Sequence, residues 1–140
     1  MNEKIINSIL RILKENYKNI PRAVEKVEQG FKEPLFFIKS IKPSQEKKGD
    51  VRYNRVYEYD IRYFSDSNED KISVAENLFI LLEYIKLEDG SLLRAKELSY
   101  NIEDDGTLHF FAKYDVMLIK QKEKVPTIDE MDLKEGIKSE

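Results

Sequence analysis

Between Leu108 and Leu118 every second residue is apolar (Leu108, Phe110, Ala112, Tyr114, Val116 and Leu118), with His109, Lys113 and Asp115 among the residues between them. So long a period-two pattern fits an extended strand and not a helix, because successive side chains of a strand point to opposite faces. A second run, Tyr53, Tyr57, Tyr59, Ile61 and Tyr63, is interleaved with Glu58, Asp60 and Arg62. It predicts a long antiparallel strand with one wet face. Asn54-Arg55-Val56 interrupts the period, which leaves two alternatives, a bulge or a strand buried at one end only. Phe111, Met117 and Ile119 make the second face of the 108–118 strand partly apolar, and such a patch invites a partner.

The remaining periodicities are helical. Asn2 is placed as the cap of a helix whose stripe is Ile6, Ile9, Leu10, Leu13 and Tyr17, with Lys4, Arg11, Lys14 and Lys18 largely on the other side and an end before Pro21. In a chain without net positive charge this stripe is expected to pack on the domain's own sheet, not on a membrane surface. Ser65-Asp66-Ser67-Asn68 supplies caps for a second helix, and Glu69 and Asp70 suit its positive end. Ile72, Ala75, Leu78, Phe79, Leu82 and Ile85 carry that helix toward the Asp89-Gly90 turn. Leu93, Ala95, Leu98, Tyr100 and Ile102 form a further strand with a slip near Lys96-Glu97, and Asp105-Gly106 is the hairpin turn before Leu108.

The segment Val27-Glu28-Gln29-Gly30-Phe31-Lys32-Glu33-Pro34-Leu35-Phe36-Phe37-Ile38 reads as two strands around a tight connection. Val24 and Val27 lie on the first, Gly30 takes a positive φ, and Pro34 precedes a compact apolar run. Residues 43–50 (Pro43 to Asp50) hold no apolar side chain, which predicts an exposed, mobile loop. The fold class is therefore α+β: a mostly antiparallel sheet of about five strands with two amphipathic helices packed on it. Residues 1–121 form a single domain, large enough to bury about two-thirds of the extended chain's surface. Residues 122–140 form a charged C-terminal tail, either a solvated terminus or an arm that orders on a neighbouring subunit.

Composition narrows the chemistry. The 140 residues contain no cysteine and one histidine, which removes disulfides, thiolate sites and a histidine-based metal centre. No apolar run is long enough to span a bilayer, and no secretory pattern opens the chain; the reading is cytosolic, with no membrane partner. Basic and acidic residues nearly balance, 24 against 27, for a net charge of −3, so nothing drives bulk nucleic-acid binding, while a surface of mixed sign can complement another copy of itself. No phosphate-binding glycine pattern or nucleophile elbow is present. Glu103-Asp104-Asp105 reads as turn chemistry in place of a cation site, and His109 as a packed or surface group in place of a general base. No catalytic, metal or cofactor residue is predicted. The best nucleic-acid candidate is a DNA-facing loop carrying Lys47, Lys48, Arg52 and Arg55 with Tyr53 available to stack.

In wording, "VEQGFKEPLFFI" after an amphipathic helix resembles the tail terminator (tail completion) proteins of bacteriophages and prophages of low-GC Gram-positive bacteria. The likeness extends over Asp60-Ile61-Arg62-Tyr63-Phe64, Ala75-Glu76-Asn77-Leu78, Leu82-Glu83-Tyr84-Ile85 and Leu108-His109-Phe110-Phe111. It implies a structural, non-enzymatic protein that forms a homo-hexameric ring on the head-proximal end of the tail tube, stops tube polymerisation and joins head-completion proteins. Its partners would be further copies of itself, tail-tube and sheath protein and head-completion protein, with DNA only as passing cargo. It would be found in the host bacterial cytoplasm during assembly and in the virion tail afterwards. The subunit or tube interface is placed at Gln29, Gly30 and Phe31 and at the exposed face of Glu58, Asp60 and Arg62. The alternative is a head-tail adaptor or nucleic-acid-binding module of the same build.

Overall fold

The computed structural model describes residues 1–25, 30 and 32–120. Its elements run α1 (Asn2–Asn16), β1 (Arg22–Val24), β2 (Leu35–Lys47), β3 (Arg52–Phe64), α2 (Asn68–Leu81), β4 (Tyr84–Lys86), β5 (Leu92–Ile102) and β6 (Leu108–Ile119). The strands form one sheet in the order β1-β2-β3-β6-β5-β4. β1 is parallel to β2, whereas β4–β5 and β5–β6 are antiparallel. The α+β class and the two helices match the sequence reading; among the described residues the strands number six where about five were expected, and the parallel β1–β2 pair makes the sheet mixed. The chain divides into two compact units, Met1–Ser44 with Val56–Val116 and Gln45–Arg55 with Met117–Glu140. The predicted tail, 122–140, lies outside the described residues.

In the first unit, α1 buries Ile5, Ser8, Ile9 and Leu13, so its inward stripe is turned by about one residue from the apolar periodicity. Ser8 explains the turn: its hydroxyl donates to the Lys86 carbonyl of β4, and the Arg11 guanidinium reaches the same oxygen at 2.6 Å. An exposed edge carbonyl is thereby satisfied by a helix side chain. Asn2 does not cap the helix. Met1 holds the cap position without a side-chain bond, and the Asn2 amide oxygen instead accepts from the Tyr59 hydroxyl at 2.7 Å. Burial pushes that phenol well above its usual range.

α2 begins as expected. The Ser67 hydroxyl accepts from the Asp70 backbone N–H at 3.1 Å, satisfying one of the amides a helix start leaves unpaired. Ser67→Ala is expected to lower stability by about 1 kcal/mol, read from the urea midpoint at unchanged m-value, with Ser67→Asp nearly neutral.

The helix stops at Leu81, short of the Asp89-Gly90 turn that its periodicity reached for. The Tyr114 hydroxyl takes the Leu82 carbonyl at 2.7 Å, and Tyr84–Lys86 then pairs with Leu92–Arg94 as the edge strand β4. Ile85 is fully buried between two exposed neighbours. A spacing of three from Leu82 to Ile85 suits a helix, but the same residue also suits a short strand, and three residues cannot separate the two periods.

β5 and β6 follow the sequence closely. The register shift falls between Ala95 and Glu97. At the hairpin, Gly106 has φ +85°, Glu103 N–H bonds to the Thr107 carbonyl at 3.0 Å, and Asp105 accepts from Thr107 N–H at 2.9 Å. Leu108, Phe110, Ala112, Tyr114 and Val116 are all buried. The core is aromatic: Phe36 lies 5.2 Å from the Tyr17 ring and 4.7 Å from Tyr63, and Phe79 packs on Phe110 and Tyr100 at 5.2 and 5.8 Å. Tyr63 donates to Asp70 of α2 at 2.6 Å and Tyr59 to Asn2 of α1. Both helices therefore pack on the face that carries these tyrosines.

Two further expectations need correction, and one open alternative is decided. β1 and β2 are parallel neighbours in register Arg22↔Phe36, so they are not two strands of a tight turn, since parallel strands start at the same end and cannot be joined by two residues. Gly30 does take a positive φ, +75°, whereas Val27, Gln29 and Phe31 lie outside the described residues. Residues 43–47, expected in a loop, continue β2. They are exposed as predicted, and backbone pairing, which needs no apolar side chain, holds them extended. In β3 burial begins at Tyr57, which favours a strand buried at one end over a bulge as the reason for its broken period.

Candidate interaction site

On β3, Glu58, Asp60 and Arg62 share one face by alternation, as the sequence predicted, but Asp60 is not solvated. Only 5% of it is exposed. Arg62 Nε lies 2.9 Å from Asp60 Oδ2, and His109 Nδ1, on the adjacent strand β6, lies 3.0 and 3.2 Å from the two carboxylate oxygens. Two donors cover the carboxylate, which is how a buried acid avoids an uncompensated desolvation cost. The cluster continues into aromatic rings: the Arg62 guanidinium sits 5.6 Å from the centre of Phe37, and the His109 ring stacks on Phe111 at 6.2 Å. Such a Phe37-Arg62-Asp60-His109-Phe111 layer holds its charges in fixed positions on a sheet face. A His–Asp pair resembles part of a nucleophile-activating triad, but here the carboxylate is shared with Arg62 and the imidazole lies against Phe111, an arrangement that orders a surface.

Along the same sheet, Lys113 meets Glu97 at 3.4 Å and Lys96 meets Asp115 at 3.3 Å. These are partly exposed pairs that add little stability and give the surface a definite charge order. Glu58 is half-buried and Arg62 keeps 30% of its side chain exposed. Of the predicted interface residues, Glu58 and Arg62 are partly exposed and Gly30 is exposed, whereas Asp60 is buried against Arg62 and His109. His109 is the residue that sequence reading set aside. A lone histidine carries no signal until the strand order brings it beside Asp60.

Within the same unit, the start of α2 and the β5–β6 turn come together at one acidic end. Two adjoining clefts of about 290 Å³ each share Glu33, Ser65 and Asp66; Asp70 lines one, and Asp105 and Lys71 line the other. The Thr107 amide holds the Asp105 carboxyl below the usual carboxylate range. Asp70 accepts from Tyr63 and, at 3.0 Å, from Ser65. Lys71 is only 4% exposed and donates to the Gly106 carbonyl, so its charge is turned inward. Among the described residues no group of three or more His, Cys, Asp or Glu side chains could hold a metal ion.

The second unit holds the predicted basic residues. Lys47 ends β2 and Arg52 begins β3, with Lys48 N–H donating to the Arg52 carbonyl at 2.8 Å. Lys48 bridges to Glu46 at 2.5 Å, and Arg55 Nε donates to Gln45 Oε1 at 2.8 Å. Lys120 joins them, its N–H bonded to the Val51 carbonyl at 2.7 Å. Tyr53, Arg55, Ile119 and Lys120 help line an open cleft of about 340 Å³. Met117 and Ile119 are more than half exposed, as the sequence anticipated for that strand.

Residues 4–126 match a family model described as phage tail terminator protein. Among solved structures, one superposes with a TM-score of 0.51 at 18% identity, covering 86% of this chain and 99% of that one; at such identity the likeness concerns the fold. No curated protein matches the chain. Among the described residues no helix is long and apolar enough to cross a membrane.

Proposed function

The chain belongs to the phage tail terminator family, structural components of the virion tail, and from that premise we propose that it forms a homo-hexameric ring on the head-proximal end of the tail tube. The ring stops tube polymerisation and presents its far side to the head-completion proteins; DNA passes through as cargo, and assembly takes place in the host cytoplasm, with sheath protein as a further neighbour. The family match along 4–126 carries this reading. A ring requires a heterologous contact that closes; the charges at Glu58 and Arg62, the exposed Gly30 and the exposed Met117 and Ile119 are suited to supply it, and the segment Gln29-Gly30-Phe31 is assigned to the same contact. Such a role is structural and calls for no cofactor.

Purified chain mixed with polymerising tail-tube protein is expected to shorten the tubes and leave a ring at one end of each, seen by negative-stain electron microscopy. Tube lengths unchanged at excess protein, together with a monomer by light scattering at every concentration, would overturn the proposal. The second reading, a head-tail adaptor or nucleic-acid-binding module, draws on Lys47, Lys48, Arg52 and Arg55. It requires duplex DNA binding that weakens steeply with salt and is lost on charge reversal at these four residues.

A further inference from the structure

The described part of the second unit carries five basic side chains, Lys47, Lys48, Arg52, Arg55 and Lys120, against two acidic ones, Glu46 and Asp50. In a chain of net charge −3 the remainder is correspondingly acidic. Part of that negative charge is gathered at the acidic end of the first unit, where Glu33, Asp66, Asp70 and Asp105 line two adjoining clefts. Lys71, which lines one of these clefts, is spent internally on the Gly106 carbonyl, and the Thr107 amide holds the Asp105 carboxyl below the usual carboxylate range. One molecule thus carries a cationic strand arm and an anionic concave surface that can complement each other between copies.

We propose that the basic arm of one copy docks on the acidic end of the next, with Lys47 and Arg52 facing Glu33 and Asp66. The occupant is a second copy of this chain, chosen over a nucleic acid because the arm also exposes the apolar Met117 and Ile119 (56% and 66%), side chains that a phosphate backbone leaves in water and a protein surface buries. Because the two patches differ, the contact is head-to-tail, the kind that generates a ring when its rotation closes. The inference rests on the ring reading above and specifies which surfaces make the contact. Lys47, Arg52, Glu33 and Asp66 are all exposed, so reversing them leaves the core untouched.

The test is a charge swap. Lys47→Glu/Arg52→Glu and Glu33→Lys/Asp66→Lys are each expected to weaken self-association by about a hundredfold, since like charges then face one another. An equimolar mixture of the two variants is expected to restore assembly, because the reversed arm of one meets the reversed end of the other. Sedimentation velocity follows this with and without tail-tube protein, and circular dichroism confirms folding. If the unmodified chain assembles and both variants assemble equally well, the pairing is overturned while the ring reading stands. If the unmodified chain stays monomeric in both arms, the ring reading fails and the pairing with it. If the arm variant keeps assembly but loses salt-sensitive duplex DNA binding, the arm is a nucleic-acid surface and the proposal is wrong.

Discussion

Phe36→Ala is expected to lower the unfolding free energy by about 3–5 kcal/mol, the largest effect anticipated for any single substitution. Phe36 is fully buried, second in β2, and its ring touches Tyr17 beyond the end of α1 and Tyr63 of β3 at 5.2 and 4.7 Å. Truncation removes the transfer free energy of the ring. It also leaves a hole between two aromatic side chains whose hydroxyls are held, Tyr63 by Asp70 and Tyr17 by Asn77, so they cannot swing in to fill it. Phe36→Leu, which keeps most of the volume, should cost clearly less. Urea titration monitored by circular dichroism decides the matter: a loss below about 1 kcal/mol for Phe36→Ala would mean that α1 and β2 are not packed around this ring.

Asp60→Ala comes second, at about 2–3 kcal/mol. The substitution leaves the Arg62 and His109 donors facing a small apolar group on a half-buried sheet face. The cost stays below that of breaking a fully buried pair, because Arg62 keeps 30% of its side chain in solvent and water can replace part of the lost contact. A double-mutant cycle isolates the interaction: Asp60→Ala and Arg62→Ala should be less than additive together. Strict additivity, or a cost below about 0.5 kcal/mol for Asp60→Ala alone, would show the carboxylate contributing nothing through its two partners.

Asp60 also shows where reading the sequence stops. Its place on the polar face of β3 followed from the alternation around Tyr59 and Ile61. Its burial did not, because that depends on His109, distant in sequence and brought alongside by the β3–β6 adjacency. The same holds for the acidic end, where Glu33, Asp66 and Asp105 come from three separate connections. β4 was missed because Ile85 fits helical and extended periods equally well, and the outcome was decided by the Tyr114 hydroxyl claiming the Leu82 carbonyl. Of the loop expected at 43–50, residues 43–47 proved to be strand for a related reason: lack of apolar residues argues against a core, not against a paired backbone.

The residues alone determined the α+β class, the start of α2 within Ser65–Asn68, the β5 slip beside Lys96-Glu97, the Asp105-Gly106 hairpin and the buried face of β6, since each depends on local dihedral preference or on periodicity within one element. The wording from Val27 to Ile38 carried the resemblance to tail terminator proteins, and the family match then bore that family out. Strand order, the parallel pairing of β1 with β2, the true inward stripe of α1 and the company Asp60 keeps were decided only in the tertiary structure. Each of these is a contact between segments far apart in the chain, and its energy depends on geometry that no single segment contains.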